Sequence, residues 1–188
     1  MKKLILVVAA ILLGLSGYSQ VFNTGQTLKK GVFSLGLEPT MHIDGGANGL
    51  IFFLHAGYGF KSGIDGNIRI GAGSPSYFGA DIEFALARRI SLSVGAHNFG
   101  DFGLDGTFNA VIPIKSDVRL FTGIDSDIIF GKKLNNEGEE ELDIKVPFWI
   151  PIGVEIELSK SVNLLFETEI GLNAPAYHVI GGGVNFYF

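Results

Sequence analysis

From Gly31 onward, apolar and polar residues alternate with a period of two, and the alternation restarts after every short break. In Tyr77 to Ala87, Phe78, Ala80, Ile82, Phe84 and Leu86 form one face, and Gly79, Asp81, Glu83 and Ala85 form the other. Side chains of a strand point to opposite faces in turn, so each such segment is a strand with one oily and one polar side. A helix would need apolar residues three and four apart, and they are not. Ten segments read this way: 31–40, 49–60, 66–73, 77–87, 90–99, 104–114, 118–130, 145–158, 162–173 and 177–188. Most have the length of a tilted strand crossing a bilayer, about 9–11 residues. Pro113, Pro147 and Pro151 weaken the sixth and eighth segments, since proline cannot donate to a ladder. Eight strands is therefore the alternative to ten.

Composition narrows the setting. Of 188 residues, 47% are hydrophobic and 18% charged, with 27 Gly, 16 Phe and no Cys. The mean hydropathy of +0.35 is high for a water-soluble domain. Yet beyond the N-terminus no apolar run approaches the roughly 18–20 residues of a membrane-spanning helix. The chain is also too rich in large apolar residues to be disordered. A formal charge of -5 argues against a nucleic-acid partner, which would need clustered Lys and Arg.

The first residues have the three parts of a secretory signal peptide. Met1-Lys2-Lys3 is a basic start, Leu4 to Leu15 an apolar stretch, and Ser16-Gly17-Tyr18-Ser19 offers small residues for cleavage after Ser19. The expected organisation is a signal peptide at 1–19, an N-terminal periplasmic segment at 20–30 and a β-barrel at 31–188. Removing the signal leaves 12 basic against 19 acidic residues, a net charge of -7.

The links between segments alternate in character. One set is short and basic: Lys61-Ser62-Gly63, Arg88-Arg89, Lys115-Ser116-Asp117 and Ser159-Lys160-Ser161. The other set is more varied and includes a long acidic loop near Ser126 to Ile144. Outer-membrane barrels have short periplasmic turns and longer outer loops. Alternation alone would fit a soluble barrel with oil inside, but a soluble exterior would carry Lys, and no Lys sits clearly within a segment. The polar face is instead Gly, Ser, Asn, Asp and Glu, with Arg69 and Arg119 as the main exceptions. The apolar face carries Phe52, Tyr58, Phe60, Phe78, Phe84, Phe108, Phe148 and Phe186, several of them near segment ends where interfacial girdles belong. The polar face therefore lines the lumen.

The chain ends Gly181-Gly182-Gly183-Val184-Asn185-Phe186-Tyr187-Phe188. This resembles the C-terminal assembly signal of outer-membrane β-barrel proteins of Gram-negative bacteria, with Gly183, Phe186 and Phe188 at the matching positions. The resemblance implies an antiparallel up-and-down transmembrane β-barrel integral to the outer membrane. It also implies the barrel-assembly machinery as a partner during insertion and outer-membrane lipid as the surroundings. It names no activity.

The lumen face offers two sets of charged residues. Counting back from Ser74-Pro75-Ser76 puts Arg69 opposite Asp81, with Glu83 and Asn67 alongside, as a lumen-filling salt bridge. Glu155, Glu157, Glu167 and Glu169 form a second set that Arg119 can partly neutralise. Paired carboxylates can do acid–base work or favour cations in a pore, but the plainer reading is the paired interior of a small barrel. His55, His97 and Ser93 invite comparison with a hydrolase, without a spacing that forces a Ser–His–acid group together. No zinc motif, phosphate loop or cysteine site occurs, so no cofactor is expected. With Phe53, Phe121, Trp149 and Tyr187 pointing inward, a ten-stranded lumen should be mostly plugged. The leading expectation is a non-enzymatic structural or interaction role through the outer loops, with an extracellular or envelope protein as the partner. A narrow cation-leaning pore is the first rival, and a lipid-modifying or proteolytic barrel the second.

Overall fold

A computed structural model describes residues 26–44, 47–135 and 137–188. The expected signal peptide lies outside them. Eleven strands follow in order: β1 Phe33–Asp44, β2 Ala47–Lys61, β3 Ile64–Ala72, β4 Tyr77–Ala87, β5 Ile90–Phe99, β6 Asp101–Pro113, β7 Val118–Leu134, β8 Glu140–Lys145, β9 Phe148–Ser159, β10 Val162–Gly171 and β11 His178–Tyr187. Each pairs antiparallel with its neighbour, and β1 pairs with β11 to close the sheet. The wall has ten positions, because β8 and β9 share one. The first half of β7 pairs with β9, and its second half with β8. The protein is thus a closed, ten-stranded, antiparallel β-barrel.

Alternation sets which way each side chain points. Along β2, Ile51, Phe53, His55, Gly57 and Gly59 are buried, while Phe52, Leu54, Tyr58 and Phe60 are exposed. The outer surface is a continuous belt of large apolar residues, with Phe78 at 57% exposure and Ile124 at 56%. Scattered apolar residues are ordinary on a soluble surface, but a belt round the whole wall is a surface made for lipid. No helix among the described residues is long and apolar enough to cross a membrane.

Closure removes the exposed edges that an open sheet would present. The seam keeps one register, from Ser34↔Tyr187 to Ile43↔His178, with a break where Pro39 faces Gly182. Pro39 has no N–H to give, so two rungs are missing there and the register resumes unchanged. Turns at the end that holds Phe33 and Phe188 are short. At the opposite end, Gly100 alone joins Phe99 to Asp101, with a φ of 81° that suits glycine.

The structure corrects three expectations. The stretch read as a long loop, 126–144, is mostly strand: β7 runs on to Leu134 and β8 returns from Glu140, so only 135–139 connect them. Charges on the inward face there masked alternation that Ile128, Phe130, Leu142 and Ile144 still display. Lys132, Lys133 and Lys145 consequently lie within strands, in a hairpin that projects past the main ladder and pairs them with Glu140, Glu141 and Asp143. Bonding to Glu141, with Asp143 nearby, holds the Lys133 ammonium above its ordinary pKa. Finally, Pro147 falls in the break between β8 and β9, where no ladder bond is required of it.

Candidate functional site

The lumen is divided into three levels. Nearest the termini is a packed polar layer. Arg119 on β7 reaches Glu155 on β9, with Nε to Oε2 at 3.1 Å, and Glu157 at 3.8 Å. Its guanidinium also donates to Gln26 Oε1 at 3.3 Å. Asn163 donates to Glu155 and, at 3.3 Å, to the Tyr187 hydroxyl. Asp65, Glu83, Ser91 and Asn109 are equally shut away from solvent on the neighbouring strands. Burying so many charged groups is stable only when they are paired, and Arg119 supplies much of that pairing.

Residues 26–30, within the expected N-terminal periplasmic segment, lie against the lower lumen. The Leu28 side chain is completely buried and its backbone N–H donates to Asp65. Space for it comes from Gly57, where an added Cβ would stand 3.0 Å from a Leu28 methyl. Gly31 then hands the chain to β1 through a bond from its N–H to the Gly59 carbonyl, 2.8 Å.

Above the polar layer sits an apolar one, built from Val111, Phe121 and Leu165. The Phe121 ring lies over Gly153, and any side chain at that position would occupy the ring's place. Leu165 separates Asn163 below from Glu167 above on the inner face of β10. Together these residues make an apolar floor on the β6, β7 and β10 side of the barrel, while Asn67 links Asp65 to Asp81 on the β3–β4 side.

Above the floor the lumen opens into a cup of about 320 Å³ facing the end away from the termini. Eight carboxylates line it, against Arg69 and Lys145 as fixed cations. Glu38 meets His55 at 2.8 Å. His97 stands between Asp105 at 3.4 Å and Asp127 at 3.6 Å. Asp125 accepts from the Thr107 hydroxyl, and Asp81 from Asn67 and Ser93 at 3.1 and 3.2 Å. One side of the cup is aromatic. Tyr177 stacks on His42 at 4.6 Å and meets Trp149 edge-on at 5.8 Å, while the Trp149 indole donates to the Tyr177 carbonyl at 2.7 Å.

All eight charged residues singled out in sequence face the interior, but not in the sets expected. Arg69 pairs across the ladder with Gly79, and Asp81 with Asn67. Pairing of Gly71 with Tyr77 centres the turn on Ser74 rather than Pro75, which moves every rung by two. Among the described residues Arg69 makes no ion pair within 4.0 Å. The four glutamates split: Glu155 and Glu157 join Arg119 below the floor, and Glu167 and Glu169 line the cup above it. Glu83 is buried beneath the cup, cross-strand from Asp65. The cup residues Glu38, Asp105, Asp125 and Asp127 were not singled out, though each occupies a polar-face position in the alternation. Their convergence depends on closure, which a linear pattern does not display. Ser93 bonds Asp81, and His97 bonds two carboxylates, so these residues do not form the hydrolase arrangement.

Gly183, Phe186 and Phe188 stand on or just past β11. Phe186 points outward opposite Leu35, and Phe188 exchanges backbone bonds with Phe33 at 2.8 and 3.2 Å. The acidic tip 135–139 is tied by Asn135, whose side chain accepts from the N–H groups of Glu137 and Glu139. No group of three or more metal-ligating side chains occurs among the described residues.

No protein-family model matches the chain, and no curated protein matches it in sequence. Its fold does have solved counterparts. The NanC porin superposes with a TM-score of 0.51 at 9% identity, over 81% of this chain and 98% of that one. The KdgM porin gives 0.46 at 10% identity, over 82% and 99%. Ail, the attachment invasion locus protein of Yersinia pestis, gives 0.41 at 16% identity, over 85% and 99%. The likeness to the NanC porin is one of fold, a small closed antiparallel β-barrel.

Proposed function

We propose that this protein is a closed outer-membrane barrel that acts at its outward end, as a scaffold or interaction protein, and not as a pore or an enzyme. In this reading residues 1–19 are a cleaved export signal in a Gram-negative cell. Gly183, Phe186 and Phe188 are read by the barrel-assembly machinery, and the termini face the periplasm.

The observation that carries the reading is the floor. Phe121, Leu165 and Val111 pack into the lumen above the layer of Arg119, Glu155, Asn163 and Tyr187, which supports a plugged interior. An ion crossing here would have to leave the acidic cup and pass the apolar face of Phe121 and Leu165 among interior side chains that are already buried and bonded to one another. What the barrel offers outward is the β7–β8 hairpin. Leu134 at 70% exposure and Leu142 at 63% stand there beside the Lys132–Glu140 pair, a mixed surface suited to a protein partner.

Planar-bilayer recording tests the reading. The folded protein is expected to give no stable unit conductance. Steady channels abolished by Glu167→Gln and Glu169→Gln would instead establish the cation-leaning pore. Removing residues 131–143 should leave the barrel heat-modifiable in detergent gels while ending partner capture at the cell surface.

A further inference from the structure

We propose that the end of the barrel that holds Phe33 and Phe188 binds anionic glycerophospholipids through a collar of cations carried by its turns. The inference rests on the membrane-barrel reading and is independent of whether the lumen conducts. Four turns lie at this end, and each carries Lys or Arg: Lys61 at β2–β3, Arg88 and Arg89 at β4–β5, Lys115 at β6–β7, and Lys160 at β9–β10. All five side chains are exposed, as is Lys30 just before β1. Within these turns the one acid is Asp117, which accepts from the Ser116 hydroxyl.

The opposite end is built the other way. None of the links there, 45–46, 73–76, Gly100, 135–139, 146–147 and 172–177, contains Lys or Arg. The cations of that end, Lys132, Lys133 and Lys145, lie within β7 and β8, and each pairs with an acid. Among the described residues none of the five turn cations makes an ion pair within 4.0 Å. Their charge is left for a partner outside the chain.

A second observation places that partner in the membrane. Along the chain entering each of these turns, an exposed apolar residue comes one or two positions before the first cation. Phe60 precedes Lys61, Leu86 precedes Arg88, Ile114 precedes Lys115 and Leu158 precedes Lys160. The apolar belt therefore ends where the cations begin, at every turn of this end, and in a bilayer that border is the depth of the headgroups. An apolar groove of about 290 Å³ in the outer wall lies beside Lys61, walled by Phe33, Tyr58, Phe60, Ile68 and Ile82 around Gly66. It is a seat for an acyl chain of the same lipid.

The chemistry of the partner follows from the spacing. One or two cations per turn, spread round the rim, match single phosphates on separate lipids. A polyanion would call for the same charges gathered on one patch. Phosphatidylcholine carries an ammonium beside its phosphate, so the preference is for headgroups of net negative charge.

The test uses the folded full-length barrel in phosphatidylcholine vesicles doped with spin-labelled phosphatidylglycerol or spin-labelled phosphatidylcholine. Electron paramagnetic resonance separates lipid held at the barrel from free lipid. A preference for phosphatidylglycerol of about two- to fivefold is expected at low ionic strength. It should fall towards one at about 1 M salt, where the screening length is about 3 Å. Lys61→Gln, Arg88→Gln, Arg89→Gln, Lys115→Gln and Lys160→Gln together should abolish it, whereas Lys132→Gln with Lys133→Gln should leave it intact. Folding is checked by heat-modifiable migration. Arg88→Gln with Arg89→Gln, expected to lose part of the preference, covers the case in which the five-residue variant fails to fold. No preference in the unaltered protein, an unchanged preference in a folded turn variant, or an equal loss in the Lys132 and Lys133 variant would overturn the proposal. Held lipid without a preference would leave the membrane barrel standing, and no held lipid at all would remove both.

Discussion

The floor makes a quantitative prediction about two residues that touch. Phe121 is 1% exposed, packed on Val111 and Leu165, and its ring fills the space that Gly153 leaves empty. Phe121→Ala removes that ring from a site with little freedom to collapse, because the barrel wall around it is held by ladder bonds. A loss of about 3–5 kcal/mol is expected for such a truncation. Gly153→Ala does the opposite, pushing a methyl into the ring and forcing Phe121 off its position, for about 1–3 kcal/mol. In the double variant the methyl enters the hole left by the ring, so the combined cost should fall short of the sum by about 1–3 kcal/mol. The assay is reversible urea unfolding from lipid vesicles, followed by Trp149 fluorescence. With a slope of about 2 kcal/mol per molar, Phe121→Ala should lower the midpoint by roughly 1.5–2.5 M. Additive costs would show that the two residues do not share the space, and the floor as described would be wrong. The same Phe121→Ala protein is the variant most disposed to leak ions in a bilayer, which gives an independent readout of the same packing.

Arg119→Ala should destabilise by about 3–5 kcal/mol in the same unfolding assay, because it strands the buried Glu155. Adding Glu155→Gln to it should recover part of that loss, and no recovery would mean that the pair does not act as one. Deleting Phe188 removes the two backbone bonds to Phe33 and is expected to lower the fraction of heat-modifiable, membrane-inserted protein; normal insertion would count against the terminal-signal reading. Leu28→Asp places a charge where no water reaches, beside Asp65, and should unfold or displace residues 26–30, visible as new protease cleavage near the N-terminus.

How much of this was legible beforehand depends on the range of the interaction involved. Facing is local: a period of two told Phe78 from Asp81 without a structure, because adjacent side chains of a strand must point apart. Register is less local. A turn centred on Ser74 instead of Pro75 moved Arg69 from Asp81 to Gly79, an error of two that preserves the face and loses the partner. Level in the barrel is not local at all. Glu155 and Glu167 have the same pattern and the same strand pair, yet the Phe121 layer puts one in a buried ion pair and the other at the wall of a cup. The β7–β8 hairpin was missed for another reason, since its lysines and glutamates look like a solvated loop until seen as opposed pairs on two strands.

The seam between β1 and β11 has a consequence for how the chain is made. Ser34 meets Tyr187 and Leu37 meets Val184, so the first and last strands are partners although nearly the whole sequence lies between them. Every other pairing in the wall joins strands close along the chain, consecutive ones or β7 and β9 with only β8 between them. This one cannot begin until the final residues have been delivered, and its loop closure is the most demanding in the molecule. A chain cut short anywhere leaves two raw strand edges in place of none. Closure of the ring therefore serves as a test of completeness, passed only when the last strand arrives.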